Sequence, residues 1–154
     1  AAGTEWELQL HVADVAAVQA SYSFLSAYDQ TSVPGRGGNV LPGRPAHSLF
    51  ARADVGYRGW RIGYELDYRS SIYLDPANGR PRPARVLHAL SLHSGPHGRM
   101  HLTLSIDIRN LADTRSVAIA LPLDGSMLRQ VPLSDLYDYP LPGRAMYASL
   151  GGRL

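Results

Sequence analysis

The 154-residue chain contains neither cysteine nor lysine. Without cysteine there is no disulfide framework, thiolate metal site or thiol nucleophile, and the redox compartment stays open. Without lysine, all 15 basic residues are arginines, set against 13 Asp and Glu and spread from Arg36 to Arg153. No block of positive charge suggests a nucleic-acid partner. Long apolar runs are also missing: nothing approaches the roughly 18 residues that a membrane-spanning helix needs. Residues 1–10 lack the basic-then-apolar layout of a secretory signal peptide, so the expectation is a chain that is not exported or whose beginning is missing. The length suits one ordinary domain.

What the sequence does have is a period of two. From Glu5 to Val12, Trp6, Leu8, Leu10 and Val12 alternate with Glu5, Glu7, Gln9 and His11. The pattern returns with Trp60, Ile62, Tyr64, Leu66 and Tyr68 against Arg61, Gly63, Glu65, Asp67 and Arg69, and again with Met100, Leu102, Leu104, Ile106 and Ile108 against His101, Thr103, Ser105, Asp107 and Arg109. Strict alternation is the mark of a strand with two unlike faces. Weaker versions cover residues 16–24, 47–57 and 145–154, and the least clear covers 85–93, where Leu87 and Leu90 fall on opposite faces. The reading is all-β: an antiparallel up-and-down meander of about seven strands, with no convincing helix.

Short connections near Ala13 to Val15, at Arg58-Gly59 and near Ser94 to Gly98 alternate with long ones, rich in Pro and Gly, over residues 28–45, 74–84 and 111–143. A soluble sandwich has no reason to keep every second loop long, whereas an outer-membrane barrel has short periplasmic turns and long outer loops. Strands of about 10 residues suit a tilted crossing of a thin bilayer. The expectation is therefore a part of a large transmembrane β-barrel, with Trp6, Tyr57, Trp60, Tyr68 and Tyr73 in aromatic rings. The apolar face would meet lipid, while Arg52, Asp54, Arg61, Glu65, Asp67, Arg69, Asp107 and Arg109 would face a wet lumen. A soluble sheet, turned the other way round, is the alternative.

Ile108-Arg109-Asn110-Leu111-Ala112-Asp113, Tyr139-Pro140-Leu141-Pro142-Gly143-Arg144 followed by Met146-Tyr147-Ala148-Ser149-Leu150, and Leu41-Pro42-Gly43-Arg44-Pro45-Ala46-His47 with Tyr73 to Pro76 occur in this order. Together they resemble the last strands of TonB-dependent outer-membrane receptors. The resemblance covers nearly the whole chain and implies the C-terminal β-barrel portion of such a receptor in a Gram-negative bacterium. Its implied partners are outer-membrane lipid, the remainder of the barrel and its plug domain, TonB through that plug, and a scarce nutrient ligand such as a ferric siderophore or cobalamin. The family's signal peptide, TonB-contacting segment, plug and earlier strands have no counterpart here. Seven strands also break the even count of a complete bacterial barrel, so a piece of a longer protein is expected.

Other chemistry is weakly supported. His88 and His93 differ by an odd number and point to opposite faces of a strand, and Gly95, Pro96 and Gly98 forbid the helix that would align His97 with His101. No metal site and no cofactor are expected. Ser91 and His93 share a face but stand about 6–7 Å apart along a strand, too far for a nucleophile and its base, so no enzyme activity is expected. The Pro-Gly-Arg triplets at 34–36, 42–44 and 142–144 precede no helix that would cradle phosphate and are read as turns. Tyr28, Arg36, Tyr73, Arg80, Arg82, Tyr137 and Tyr139 lie in the long loops and are the candidate ligand contacts. The lead reading is a transport segment; an autonomous small β-barrel, binding or structural, in membrane or water, is the runner-up, and an outer-membrane enzyme comes third.

Overall fold

The computed structural model describes residues 1–96, 101–120, 128–133 and 140–152. Among them are eleven strands: β1 (Ala2–Val12), β2 (Ala16–Ser26), β3 (His47–Tyr57), β4 (Trp60–Arg69), β5 (Ile72–Tyr73), β6 (Pro81–Arg82), β7 (Arg85–Ser94), β8 (Thr103–Arg109), β9 (Ser116–Ala120), β10 (Leu128–Pro132) and β11 (Ala145–Gly151). Seven of them form one antiparallel sheet in the order β1, β2, β3, β4, β7, β8, β11. The pairs β5 with β6 and β9 with β10 are small hairpins inside two of the long connections. Two-residue strands such as β5 and β6 are too short to show a period, so alternation alone leaves them as loop.

The turns set the register. Arg58 and Gly59 both adopt positive φ, 48° and 82°, the backbone that lets a two-residue turn follow the twist of its strands. Paired positions in that hairpin consequently sum to 117, with Tyr57 opposite Trp60, Val55 opposite Ile62 and Arg52 opposite Glu65. The first hairpin needs an odd turn, because the apolar residues of both its strands carry even numbers and a one-residue slip would mix the faces. Its turn is Ala13, Asp14 and Val15: Val12 pairs with Ala16, and Val15 N–H donates to the Val12 carbonyl at 3.1 Å. In β7, which sequence alternation leaves ambiguous, pairing decides the facing. Leu90 lies opposite Tyr64 and Ile108, whereas Leu87 lies opposite Asp67.

The expected barrel is not what the chain forms. The sheet is open: β1 and β11 are its two edges and are not neighbours in the hydrogen-bonded order. The reason is geometric. In a meander of seven strands the first and last run in the same direction, so joining them would require a parallel ladder in an otherwise antiparallel sheet. Closure also needs enough strands, tilted and staggered, to bring the edges round. The reading as the C-terminal β-barrel portion of a TonB-dependent receptor is corrected accordingly, to an open all-β antiparallel meander.

No second layer covers the sheet among the described residues. The buried apolar side chains are Ala27, Ile72, Val131 and Leu133, and all four belong to the long connections or their small hairpins rather than to the seven-stranded sheet. Because the strands alternate in direction, these long connections leave the sheet at one end and the short turns close it at the other. The result is a two-faced sheet with an elaborated rim.

Candidate functional site

One face of the sheet is charged. Register places Arg52, Glu65, Asp67, Arg69, Asp107 and Arg109 on it together. Arg52 makes a two-pronged contact with Asp54, at 2.8 Å and 3.0 Å, and reaches Glu65 at 3.8 Å. Arg69 lies 3.5 Å from Asp67, and His93 Nε2 lies 3.5 Å from Asp107. Gly63 makes room for this cluster, since a Cβ there would stand 2.5 Å from Ser91 Oγ and 2.6 Å from Asp54 Oδ1. A groove of about 340 Å³ runs among Arg52, Gly63, Glu65, Ser91, Asp107 and Arg109.

Two serine hydroxyls of this face are engaged by other groups. Ser91 Oγ donates to the Gly63 carbonyl at 3.4 Å, and Ser105 Oγ donates to Asp107 at 3.1 Å. Among the described residues no group of three His, Asp or Glu is placed to hold a metal ion.

At the rim, the connections between β2 and β3 and between β4 and β7 are stitched to each other. Asn78, at φ 56°, donates from Nδ2 to the Val40 carbonyl at 2.8 Å and accepts from Val40 N–H at 2.9 Å. Asn39 Nδ2 donates to the Pro76 carbonyl at 3.0 Å, and Gly43 N–H to the Tyr73 carbonyl at 2.8 Å. The Asp75 carboxylate accepts from Gly79 N–H at 3.0 Å and Arg80 N–H at 2.6 Å. Desolvation pushes that carboxyl up, but the backbone donors around it together hold it below the ordinary range. Asp29 is likewise held low, first by Thr31 N–H, which it accepts at 2.8 Å.

Five of the candidate ligand contacts therefore lie on two connections that are joined. Tyr28 bridges to Val40, Arg36 follows Gly35 in a turn closed onto the Val33 carbonyl, Tyr73 and Arg82 sit in the β5–β6 hairpin, and Arg80 leads into it. Tyr137 and Tyr139 lie outside the described residues. Reading by residue type missed the asparagines and Asp75, which organise this rim. The signal available was positional: Asn tolerates positive φ, and Asp four residues before Gly is a common turn-closing arrangement.

The opposite face is apolar and open. Trp6 pairs with Tyr22, Tyr22 with Leu49 and Leu49 with Tyr68, giving an aromatic row toward the rim. Tyr57 and Trp60 form a second row at the short turns. Between them lie Leu8, Leu10, Val18, Ile62, Leu66, Leu90 and Leu92. Trp6, Tyr57 and Leu150 are 70%, 69% and 75% exposed, so this is a surface and not a core. No Asp, Glu or Arg occupies this face in the seven strands; its titratable groups besides tyrosine are His47 and His88.

No protein-family model matches the chain, and no curated protein matches it. Solved structures do. The ferric preacinetobactin receptor BauA from Acinetobacter baumannii matches with a TM-score of 0.70 at 16% identity, over 96% of this chain and 21% of that one. The siderophore receptor PiuA from Acinetobacter baumannii matches with a TM-score of 0.70 at 19% identity, over 96% and 21%. The ferric citrate transporter FecA, in its unliganded form, gives 0.64 at 18%, over 90% and 21%. The chain thus spans about a fifth of the length of these proteins. At these identities the likeness is one of fold, and what is shared is the antiparallel sheet.

Proposed function

We propose that the chain is a two-faced β-sheet module that works at the outer membrane of a Gram-negative bacterium, in TonB-dependent uptake of a scarce nutrient such as a ferric siderophore or cobalamin. The observation that carries the proposal is the separation of the faces: charge on one, and on the other an uncharged band bounded by two aromatic rows. Leu49 and Tyr57, which mark the two rows on β3, are eight residues apart. At about 3.3 Å per residue and a tilt near 45°, that is about 19 Å across a bilayer, close to the roughly 25 Å apolar belt of outer-membrane proteins. Left in water, so broad an apolar surface would be an aggregation hazard; in lipid it is the favourable side.

On this reading the charged face, with Arg52, Glu65, Asp67, Arg69, Asp107 and Arg109, meets a polar interior or a plug, where its ion pairs stay solvated. The stitched rim presents Tyr28, Arg36, Tyr73, Arg80 and Arg82 to a nutrient ligand. The open edges β1 and β11, whose backbone groups hydrocarbon cannot satisfy, favour a second reading, in which the module is structural or binding in its own right and has no transport step.

The two tryptophans of the chain, Trp6 and Trp60, both lie on the apolar face and report on it directly. In vesicles of brominated phosphatidylcholine both should be quenched, each more by bromines near the headgroup than by bromines deep in the acyl chains, because each stands in one of the two aromatic rows. Unquenched tryptophans, with full accessibility to iodide in water, would remove the lipid reading. Loss of growth on a ferric siderophore as iron source when the gene is deleted separates the transport reading from the structural one.

A further inference from the structure

His47 and His88 have no evident reason to be on an apolar face, and the structure gives both the same partner. Tyr22 Oη lies 2.8 Å from His47 Nδ1, and Tyr64 Oη lies 2.6 Å from His88 Nδ1. In each case the tyrosine comes from the neighbouring strand, diagonal to the histidine in the register. Phe24 adds a ring contact to His47, 5.2 Å between centroids. His47 stands at the rim end of β3, outside the Tyr22 level. His88 lies opposite Leu66, one step inside the Tyr68 level and within the uncharged band.

The surroundings decide what protonation would do. Around His47, β2 contributes Tyr22 and β4 contributes Tyr68 on this face, and Arg69 on the other. Around His88, β4 contributes Tyr64 and Tyr68 on this face. The strand β8 runs into Asn110 beside it, with Arg109 on the other face. No carboxylate shares the apolar face with either ring among the described residues. A neutral imidazole paired with a tyrosine hydroxyl is tolerable against hydrocarbon, because its polar nitrogen is satisfied. An imidazolium has no counter-charge there and opposes burial in lipid, more at His88, inside the band, than at His47, at its edge.

We propose that the Tyr22–His47 and Tyr64–His88 pairs make the sheet's hold on lipid dependent on pH, firm when both histidines are neutral and weakened when they are charged. The proposal rests on the lipid reading of this face, and histidine is the side chain whose charge changes in the mildly acidic range.

The test is flotation of the full chain with vesicles of zwitterionic phosphatidylcholine, which offer no anionic headgroup to reward added positive charge. The partition into vesicles should fall at least about tenfold between about pH 8 and about pH 5. The double variant H47Q/H88Q should bind at both pH values with a difference below about twofold. His93→Gln, on the charged face, should keep the full pH effect, whereas Y22F/Y64F, which leaves both neutral imidazoles without their hydroxyl partner, should bind less at about pH 8 and show a smaller fall. Failure to float at either pH removes the lipid reading itself. Equal flotation of the unmodified chain at both pH values, an undiminished fall in H47Q/H88Q or in Y22F/Y64F, or loss of the fall in His93→Gln would overturn this proposal while leaving that reading in place.

Discussion

Asn110 Nδ2 donates to the Pro142 carbonyl at 3.1 Å across 32 residues of chain. The same amide donates to the Thr114 carbonyl at 3.0 Å, and its Oδ1 accepts Thr114 N–H at 3.1 Å. Asn110 also sits at φ 48°, a conformation Asn accepts more readily than most residues. Two motifs that resemble receptor sequence, one ending β8 and one leading into β11, are thereby fastened together. Asn110→Ala should cost about 1–2 kcal/mol, because it deletes three hydrogen bonds made by a buried amide side chain. Asn110→Gly relieves the backbone and should still lose most of this. Hydrogen exchange of the β11 amides checks the effect, and unchanged protection in both variants would refute it.

Asp113 adds a second fastener that is sensitive to acid. Its carboxylate accepts Arg144 N–H at 2.7 Å and pairs with Arg115 at 3.0 Å. The Arg144 N–H first, and then Arg115, hold the carboxyl below its ordinary value. A carboxyl depressed in the folded chain stabilises it above the unfolded value, near pH 4, and that contribution disappears as pH falls through the lower folded value. Exchange of the Arg144 amide should therefore accelerate below about pH 4 beyond the intrinsic rate, and Asp113→Asn should abolish that acid dependence.

Gly63 is required by packing rather than by φ. A methyl there would meet Ser91 Oγ and Asp54 Oδ1, both side-chain ends that can shift, so Gly63→Ala should lower stability by about 1 kcal/mol or less by pushing Asp54 off Arg52. Adding Ser91→Ala should recover part of the loss. Urea unfolding in detergent measures both, and additive losses in the double variant would show that the clash with Ser91 is not the cause.

The turn of the first hairpin holds a small reserve of stability. Ala13 has φ 45°, a region that an alanine side chain disfavours by roughly 1 kcal/mol. Ala13→Gly should relieve that strain and, after the greater freedom glycine gains when unfolded, stabilise the hairpin by up to about 1 kcal/mol. A lower unfolding midpoint for Ala13→Gly would contradict this.

Much of the sheet was legible because a strand has a period of two and a turn has a parity. Once Trp6 to Val12 and Val18 to Phe24 were both even-faced, an odd turn followed; Arg58-Gly59 likewise implied an even one, and Arg52 had to meet Glu65. These are local constraints that need no knowledge of distant residues. The small hairpins β5–β6 and β9–β10 escaped because their local pattern is too short or too mixed to read. Whether the edges meet is a different kind of question, set by strand number, direction and stagger over the whole sheet, so the expectation of a barrel gave way to an open one. The partners of Asn110, Asn78 and His88 were equally out of reach of the sequence. A hydrogen bond between side chain and backbone 32 or 38 residues away has no period to announce it, and it exists because the rim of the folded sheet brings two connections into contact.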